Sequence, residues 1–169
     1  MSEFVLKDGA RRQVVATGVK VVKVLTGGAK TYSAGDSIGG VQELEVGGAN
    51  AAGVLLQSIS VIDAENHRSS LGLVFFDNTV SGNTDIADGN AFDLSVGDDL
   101  GKVVGVVKID TNDYVSYDSD ELVVATKTGI GLVMAPASDK AIRVAIIDEV
   151  GHERTAANTL QIDFGFLQG

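Results

Sequence analysis

Residues 77–88 read DNTVSGNTDIAD, a stretch whose residue types and spacing approach those of a calcium loop. An EF-hand loop wraps one ion with oxygen ligands at positions 1, 3, 5, 7, 9 and 12 and turns sharply at a glycine in position 6. Asp77, Thr79, Ser81, Asn83, Asp85 and Asp88 hold the ligand positions, and Gly82 holds the turn. Two of those ligands are hydroxyls, and Asp at position 12 reaches back less readily than Glu. The flanks are LGLVFF before and GNAFDLSVGDD after, and neither has the pattern of a framing helix. Asn, Asp, Ser and Gly also bond to their own backbone and accept left-handed angles. The expectation is therefore a strand connection presenting acidic surface.

Two other stretches invite chemistry. TGGAKTYSAGD (26–36) has the look of a phosphate-cradling loop, but Ala29 stands where the Walker pattern needs Gly directly before Lys, and no helix follows. It reads as a flexible hairpin loop. His67 in DAENHRSS and His152 in EVGHERTAAN are the two imidazoles, and both read as solvated loop histidines. A His/Ser/Asp arrangement remains open, although no nucleophile elbow of the G-x-S-x-G kind accompanies it. No catalytic residue, metal-ligand set or cofactor is assigned.

The elements that must carry these loops follow from composition. The chain has 169 residues, 44% of them apolar, with no Cys, no Trp and 21 Gly. That length suits one domain with a sizeable core. Its β-branched palette favours pleated sheet, and the lack of Cys removes disulfides and thiolate sites. The net charge of −10 is unevenly spread, because residues 1–30 carry +4 and residues 31–169 therefore −14. Such a balance argues against nucleic-acid binding, which draws on clustered Lys and Arg. No apolar run reaches membrane-spanning length, and the start MSEFVLKDGARR lacks a leader pattern. A soluble chain made in the cytoplasm is expected.

Turn residues recur every 8 to 15 positions between short β-branched segments. Strands are expected at 13–25, 37–46, 53–63, 70–76, 103–109, 121–135, 141–147 and 159–167. One helical turn is expected within 95–105, capped by Ser95 or Asp98. In the last strand Leu160, Ile162, Phe164 and Phe166 alternate with Gln161, Asp163 and Gly165. It should lie near a sheet's centre or at a self-association interface formed by those four apolar residues. The fold expected is all-β: a single-domain β-sandwich or jelly-roll-like barrel with one short helical turn. Residues 1–30 form a basic arm with the first strand, and residues 31–169 the body.

The order of GDSIGG (35–40), LLQSISVID (55–63), LGLVFFDNTVSG (71–82), FDLSVGDDLGKVVGVVKI (92–109), DYVSYDSDELVVATKTGIGLVM (113–134) and LQIDFGFLQG (160–169) resembles a family of tailed-bacteriophage virion proteins, the capsid decoration or cement proteins. The phrase L-x-L-x-x-F-D-x-x-x-S-G, matched by Leu71, Leu73, Phe76, Asp77, Ser81 and Gly82, carries the likeness best. The resemblance implies a non-enzymatic structural protein on the outside of the head shell, partnered by the major capsid protein and binding neither nucleic acid nor membrane. A homotrimer is expected, since decoration sites usually lie on local symmetry axes. If shell exteriors are acidic, the docking residues would be Arg11, Arg12, Lys20 and Lys23. The alternatives are another phage structural module (head-fibre base, tail or baseplate) or a carbohydrate- or calcium-binding adhesion sandwich. Nine aromatics without a Trp leave few to stack on sugars.

Overall fold

A computed structural model describes residues 4–5, 11–12, 17–25, 29–46, 53–77, 80, 86–94, 99–117, 122–136 and 141–168. The strands, in chain order, are β1 (Phe4–Val5), β2 (Arg11–Arg12), β3 (Thr17–Leu25), β4 (Lys30–Thr31), β5 (Asp36–Glu45), β6 (Val54–Asp63), β7 (Leu71–Phe76), β8 (Val103–Ile109), β9 (Tyr114–Ser116), β10 (Val123–Met134), β11 (Ala141–Asp148), β12 (Glu153–Arg154) and β13 (Leu160–Gln168). All pair antiparallel. One sheet has the order β3-β13-β6-β10-β9 and the other β5-β11-β7-β8, while β1 with β2 and β4 with β12 form two small ladders.

The two large sheets face each other across one apolar core. Ile162, Phe164 and Phe166 of β13 and Leu56, Ile59 and Val61 of β6 meet Leu71, Leu73 and Phe75 of β7 and Ile142, Val144 and Ile146 of β11. Phe75 and Phe164 touch edge to face at 6.1 Å, the geometry that ring quadrupoles favour, and Phe166 stacks beside Phe164 at 6.4 Å. The fold is thus an all-β sandwich with its sheets separate, which decides between sandwich and barrel.

The alternation read in β13 holds along the strand, with Leu160, Ile162, Phe164 and Phe166 buried and Gln161, Asp163 and Gly165 partly exposed. Its partners are β3 on one side and β6 on the other. Those four side chains are consumed inside the chain's own core, at 0–2% exposure, so the self-association role given to them is corrected. A second copy cannot reach them while the sandwich is closed.

Three further expectations change. Within 95–105 the only helical residues described are a single 3-10 turn, Leu100–Lys102, entered from Asp99. Val103 and Val104 already belong to β8, because a run of β-branched residues beside β7 gains more from ladder bonds than from one helical turn. Ser95 and Asp98 lie outside the described residues. The stretch 26–36 is not a hairpin loop, since β3 and β5 belong to different sheets and Lys30–Thr31 pairs instead with β12. Finally, β3 pairs along its whole length with β13. The first strand is therefore part of the sandwich, and any separate arm is what precedes Thr17.

Phe164→Ala should cost about 3–5 kcal/mol, a fall of roughly 6–20 °C in Tm, because it leaves a void under both sheets. Val22→Ala, on a side chain 46% exposed, should stay within about 0.5 kcal/mol. Thermal denaturation of the two variants checks the assignment of faces.

Candidate functional site

Two regions gather the residues singled out for chemistry. The first is the excursion between β7 and β8. All six residues of β7 are buried, so the strand has apolar side chains on both faces. The outward set, Val74 and Phe76, is covered by Val80 and Ile86 together with Ala145 of β11, and Phe92 and Leu94 pack at the margin. Val80 and Ile86 of the acidic stretch therefore act as a lid over this part of the sheet's outer face. Its end is fastened by Asp88, whose Oδ1 accepts hydrogen bonds from the Tyr32 hydroxyl (2.8 Å) and the Gly39 N–H (2.7 Å). Lys30 Nζ donates to the Asp88 carbonyl at 2.6 Å and lies 3.5 Å from Oδ2. Burial works to raise the Asp88 carboxyl, but the Gly39, Tyr32 and Lys30 contacts outweigh it and hold the group below the usual carboxylate range.

The seat for this lid is written in GDSIGG. Gly39 and Gly40 have φ of +70° and +67° at an irregularity in the β5–β11 ladder, conformations that side chains rarely adopt. A Cβ on Gly40 would lie 3.1 Å from the Ile86 carbonyl oxygen. Beyond Asp88 the chain docks on the start of β5, where Gly89 N–H donates to Ser37 O and Ser37 N–H to Asn90 O. Of the seven calcium-template positions only Asp77 and Asp88 are among the described residues, and the Asp88 carboxylate already has protein partners. Among the described residues no group of three or more His, Asp or Glu is placed to enclose an ion.

The second region closes one end of the sandwich, where the β6–β7 connection meets the turn from β11 to β12. Arg154, 4% exposed, lies with Nη1 3.4 Å from Asp63 Oδ1 and donates through Nη2 to Ser69 Oγ at 3.3 Å. Ser69 Oγ is 3.2 Å from His152 Nδ1, and Asp148 Oδ1 and Oδ2 lie 3.1 and 3.0 Å from that same nitrogen. The Tyr114 hydroxyl donates to the Ser69 carbonyl at 2.9 Å, and burial, with the Asp63 charge adding to it, pushes that hydroxyl above the ordinary phenol range. On the rim, Glu65 Oε1 accepts from the backbone N–H of Thr155 and Ala156 and from the Thr155 hydroxyl, each at 2.9 Å. Its Oε2 meets His67 Nε2 at 2.9 Å.

This brings a serine, a histidine and an aspartate together, but not as a catalytic triad. A triad passes the proton through the ring, with the nucleophile on one imidazole nitrogen and the carboxylate on the other. Here Ser69 and Asp148 share Nδ1, and Ser69 is fully buried. What the arrangement does is clamp. Asp148 Oδ1 also accepts from the N–H groups of Val150 and Gly151, and Gly151, at φ +88°, leaves no space for a Cβ, which would lie 2.9 Å from the Tyr32 oxygen. The two histidines read as solvated are in fact only 23% and 18% exposed and are tied into this network. Asp63, Glu65 and Arg154 were missed by sequence reasoning. Their one visible signal is that few arginines lie beyond residue 30 (Arg68, Arg143 and Arg154), so that a buried anion among so many carboxylates has few cations to choose from.

Of the docking residues, Lys20 and Lys23 are not brought to one surface. Lys20 and Lys23 differ by three positions on β3, so alternation places them on opposite faces. Lys20 pairs with Asp163 at 2.7 Å on the outer face, while Lys23 shares the parity of Val19 and Val21, which pack on the core. Arg11 and Arg12 form β2 against β1. Compared with known proteins, the chain matches no family model and no curated protein.

Glu65 supplies a pH test. Burial works to raise its carboxyl, and the hydrogen bonds from the Thr155 hydroxyl, His67 and the two backbone N–H groups overcome this and lower it to about 2. Its stabilisation is therefore complete above the ordinary glutamate range and is lost as pH falls from there towards 2. Glu65→Gln should lower Tm by roughly 4–8 °C at pH 7, from the loss of about 2 kcal/mol of charge-assisted bonding. It should also flatten the fall in Tm between pH 4.5 and 2, as measured by calorimetry across that range.

Proposed function

We propose that this chain is a structural protein of a bacteriophage virion that decorates and stabilises the outside of the head shell by binding the major capsid protein. It acts without catalysis, cofactor, nucleic acid or membrane, and is made in the host cytoplasm. The observation that carries the reading is the outer face of the five-stranded sheet. The strand register aligns Val24, Gln161, Ile62, Val124 and Val115 in one cross-strand row, and Gly18, Leu167, Leu55 and Val133 in another. Between them lie Val22, Asp163, Ser60 and Thr126, and then Lys20, Gly165, Ser58 and Thr128. Val22, Val24, Val115 and Val133 are 42–70% exposed. On the other sheet's outer face Val74 and Phe76 are covered by Val80 and Ile86, although Val106 beside Val74 stays 63% exposed, whereas among the described residues no such cover lies on this face.

A five-stranded, largely uncharged sheet face, whose Lys20 is paired with Asp163, suits a partner that is itself a large rigid surface. Val22 with Val24, and Leu167 with Val133, give this face separate apolar contact points with Ser, Thr, Lys20 and Asp163 between them, and an uncovered apolar surface favours an interaction site. Anything that binds the assembled shell and not its separated parts stabilises the shell by mass action. The homotrimer belongs to the same proposal, with its contacts made by side chains other than the buried set of β13.

Shells lacking the protein, mixed with purified chain and imaged, should gain density on the head exterior at local symmetry axes. Val24→Asp with Val133→Asp, or Lys20→Glu, should weaken that binding at least tenfold. Lys23→Glu, on the opposite face, should change it less. Density on tails, or binding that all these variants leave intact, would overturn the reading.

A further inference from the structure

We propose that His67 and His152 form a binding site for one divalent transition-metal ion, Cu2+, Ni2+ or Zn2+, which ties the β6–β7 connection to the turn between β11 and β12. The inference is independent of the virion reading. It starts from the two rings, whose centres are 5.3 Å apart with planes tilted by 45°. A metal–nitrogen bond of about 2.0–2.1 Å places two imidazoles on one ion with ring centres about 4.5–5.2 Å apart, for angles between a right angle and the tetrahedral value. The spacing found is already close to that range.

Each ring also has the second partner that ligand histidines generally have. Glu65 holds His67 at Nε2 (2.9 Å), and Asp148 holds His152 at Nδ1 (3.0 Å). Such carboxylates fix ring orientation and raise the basicity of the remaining nitrogen. His67 Nδ1 and His152 Nε2 make no hydrogen bond among the described residues, so one nitrogen on each ring remains for an ion. The surroundings favour a cation, because Asp63, Glu65 and Asp148 bring three negative charges against the single positive charge of Arg154. Both rings keep some exposure, at 23% and 18%, which leaves room for water to complete the coordination. With no third His, Asp or Glu ligand among the described residues, the site is a two-imidazole chelate. Nitrogen ligands of this kind prefer Cu2+ over Ni2+ and Zn2+ and have little affinity for Mg2+ or Ca2+.

The full chain, stripped with EDTA, is titrated calorimetrically with Cu2+, Ni2+, Zn2+ and Mg2+. One ion per chain is expected for the first three, tightest for Cu2+ and absent for Mg2+, with a rise in Tm that EDTA reverses. His67→Ala and His152→Ala should each weaken binding at least tenfold. Circular dichroism identifies any variant that fails to fold, for which the Gln substitution replaces Ala. The Cu2+ paramagnetic resonance spectrum should show nitrogen coupling from two imidazoles in the parent and one in each single variant. No uptake of any ion, a one-imidazole spectrum in the parent, or undiminished binding in the folded double variant would overturn the site.

Discussion

Burying β7 on both faces is the constraint from which the rest of this sandwich follows. Six consecutive buried residues, Leu71–Phe76, are more than one sheet-to-sheet interface can use, since alternation sends half of them the other way. Leu71, Leu73 and Phe75 meet the opposing sheet, which leaves Val74 and Phe76 to be covered from outside. The chain answers with the excursion after Phe76. Val80 and Ile86 supply the apolar cover, Asp88 anchors its far end, and the paired glycines of β5 leave space for the Ile86 carbonyl. Leu71–Phe76 with Val80, Ile86 and Asp88 on one side, and Gly39 and Gly40 of GDSIGG on the other, thus make two halves of one piece of packing.

Closing the end of the sandwich poses a different problem. Here connections that change sheets carry backbone polar groups inward, and the chain has no cysteine to staple them. It uses charge instead. Asp63 and Arg154 are nearly inaccessible, and each gains most of its value from not being left alone, because removing one partner of a buried pair typically costs about 3–5 kcal/mol. Around them Asp148 and Glu65 spend their carboxylates chiefly on backbone N–H groups of neighbouring turns and on the two histidines. The result has the composition of an active site and the geometry of a clasp, which is why counting residue types at this end misleads.

How much of this was legible in the sequence depended on how local its cause was. Strand positions came through well: Val103–Ile109 was read to the residue, and most others within one or two positions, because two-residue periodicity and turn chemistry are local. What failed was non-local. The short β9 was passed over, since three residues show too little alternation to read, and Tyr114 is fixed by its bond to the Ser69 carbonyl 45 positions away. Leu160, Ile162, Phe164 and Phe166 were seen as an apolar stripe, but a stripe does not say whether its partner is the same chain or another. The Asp88 anchor and the Arg154 cluster join residues 49 to 91 positions apart, and no spacing rule reaches that far.

The same distinction bears on the two outer faces. β3 and β13 both alternate, yet before Leu167 β13 places Gln161, Asp163 and Gly165 outside, whereas β3 places Val22 and Val24 there. An edge strand of an isolated sandwich is better served by charge on its solvent side, which discourages other chains from adding to it. β3 keeps Lys20 and gives Val22 and Val24 to solvent, and the row from Val24 runs through Gln161, Ile62 and the partly buried Val124 to the exposed Val115. On its opposite side the chain buries Val74 and Phe76 under Val80 and Ile86. The fold can thus bury outward apolar side chains, yet the sequence leaves Val22 and Val24 uncovered, and they lie on the face that the proposed partner would cover.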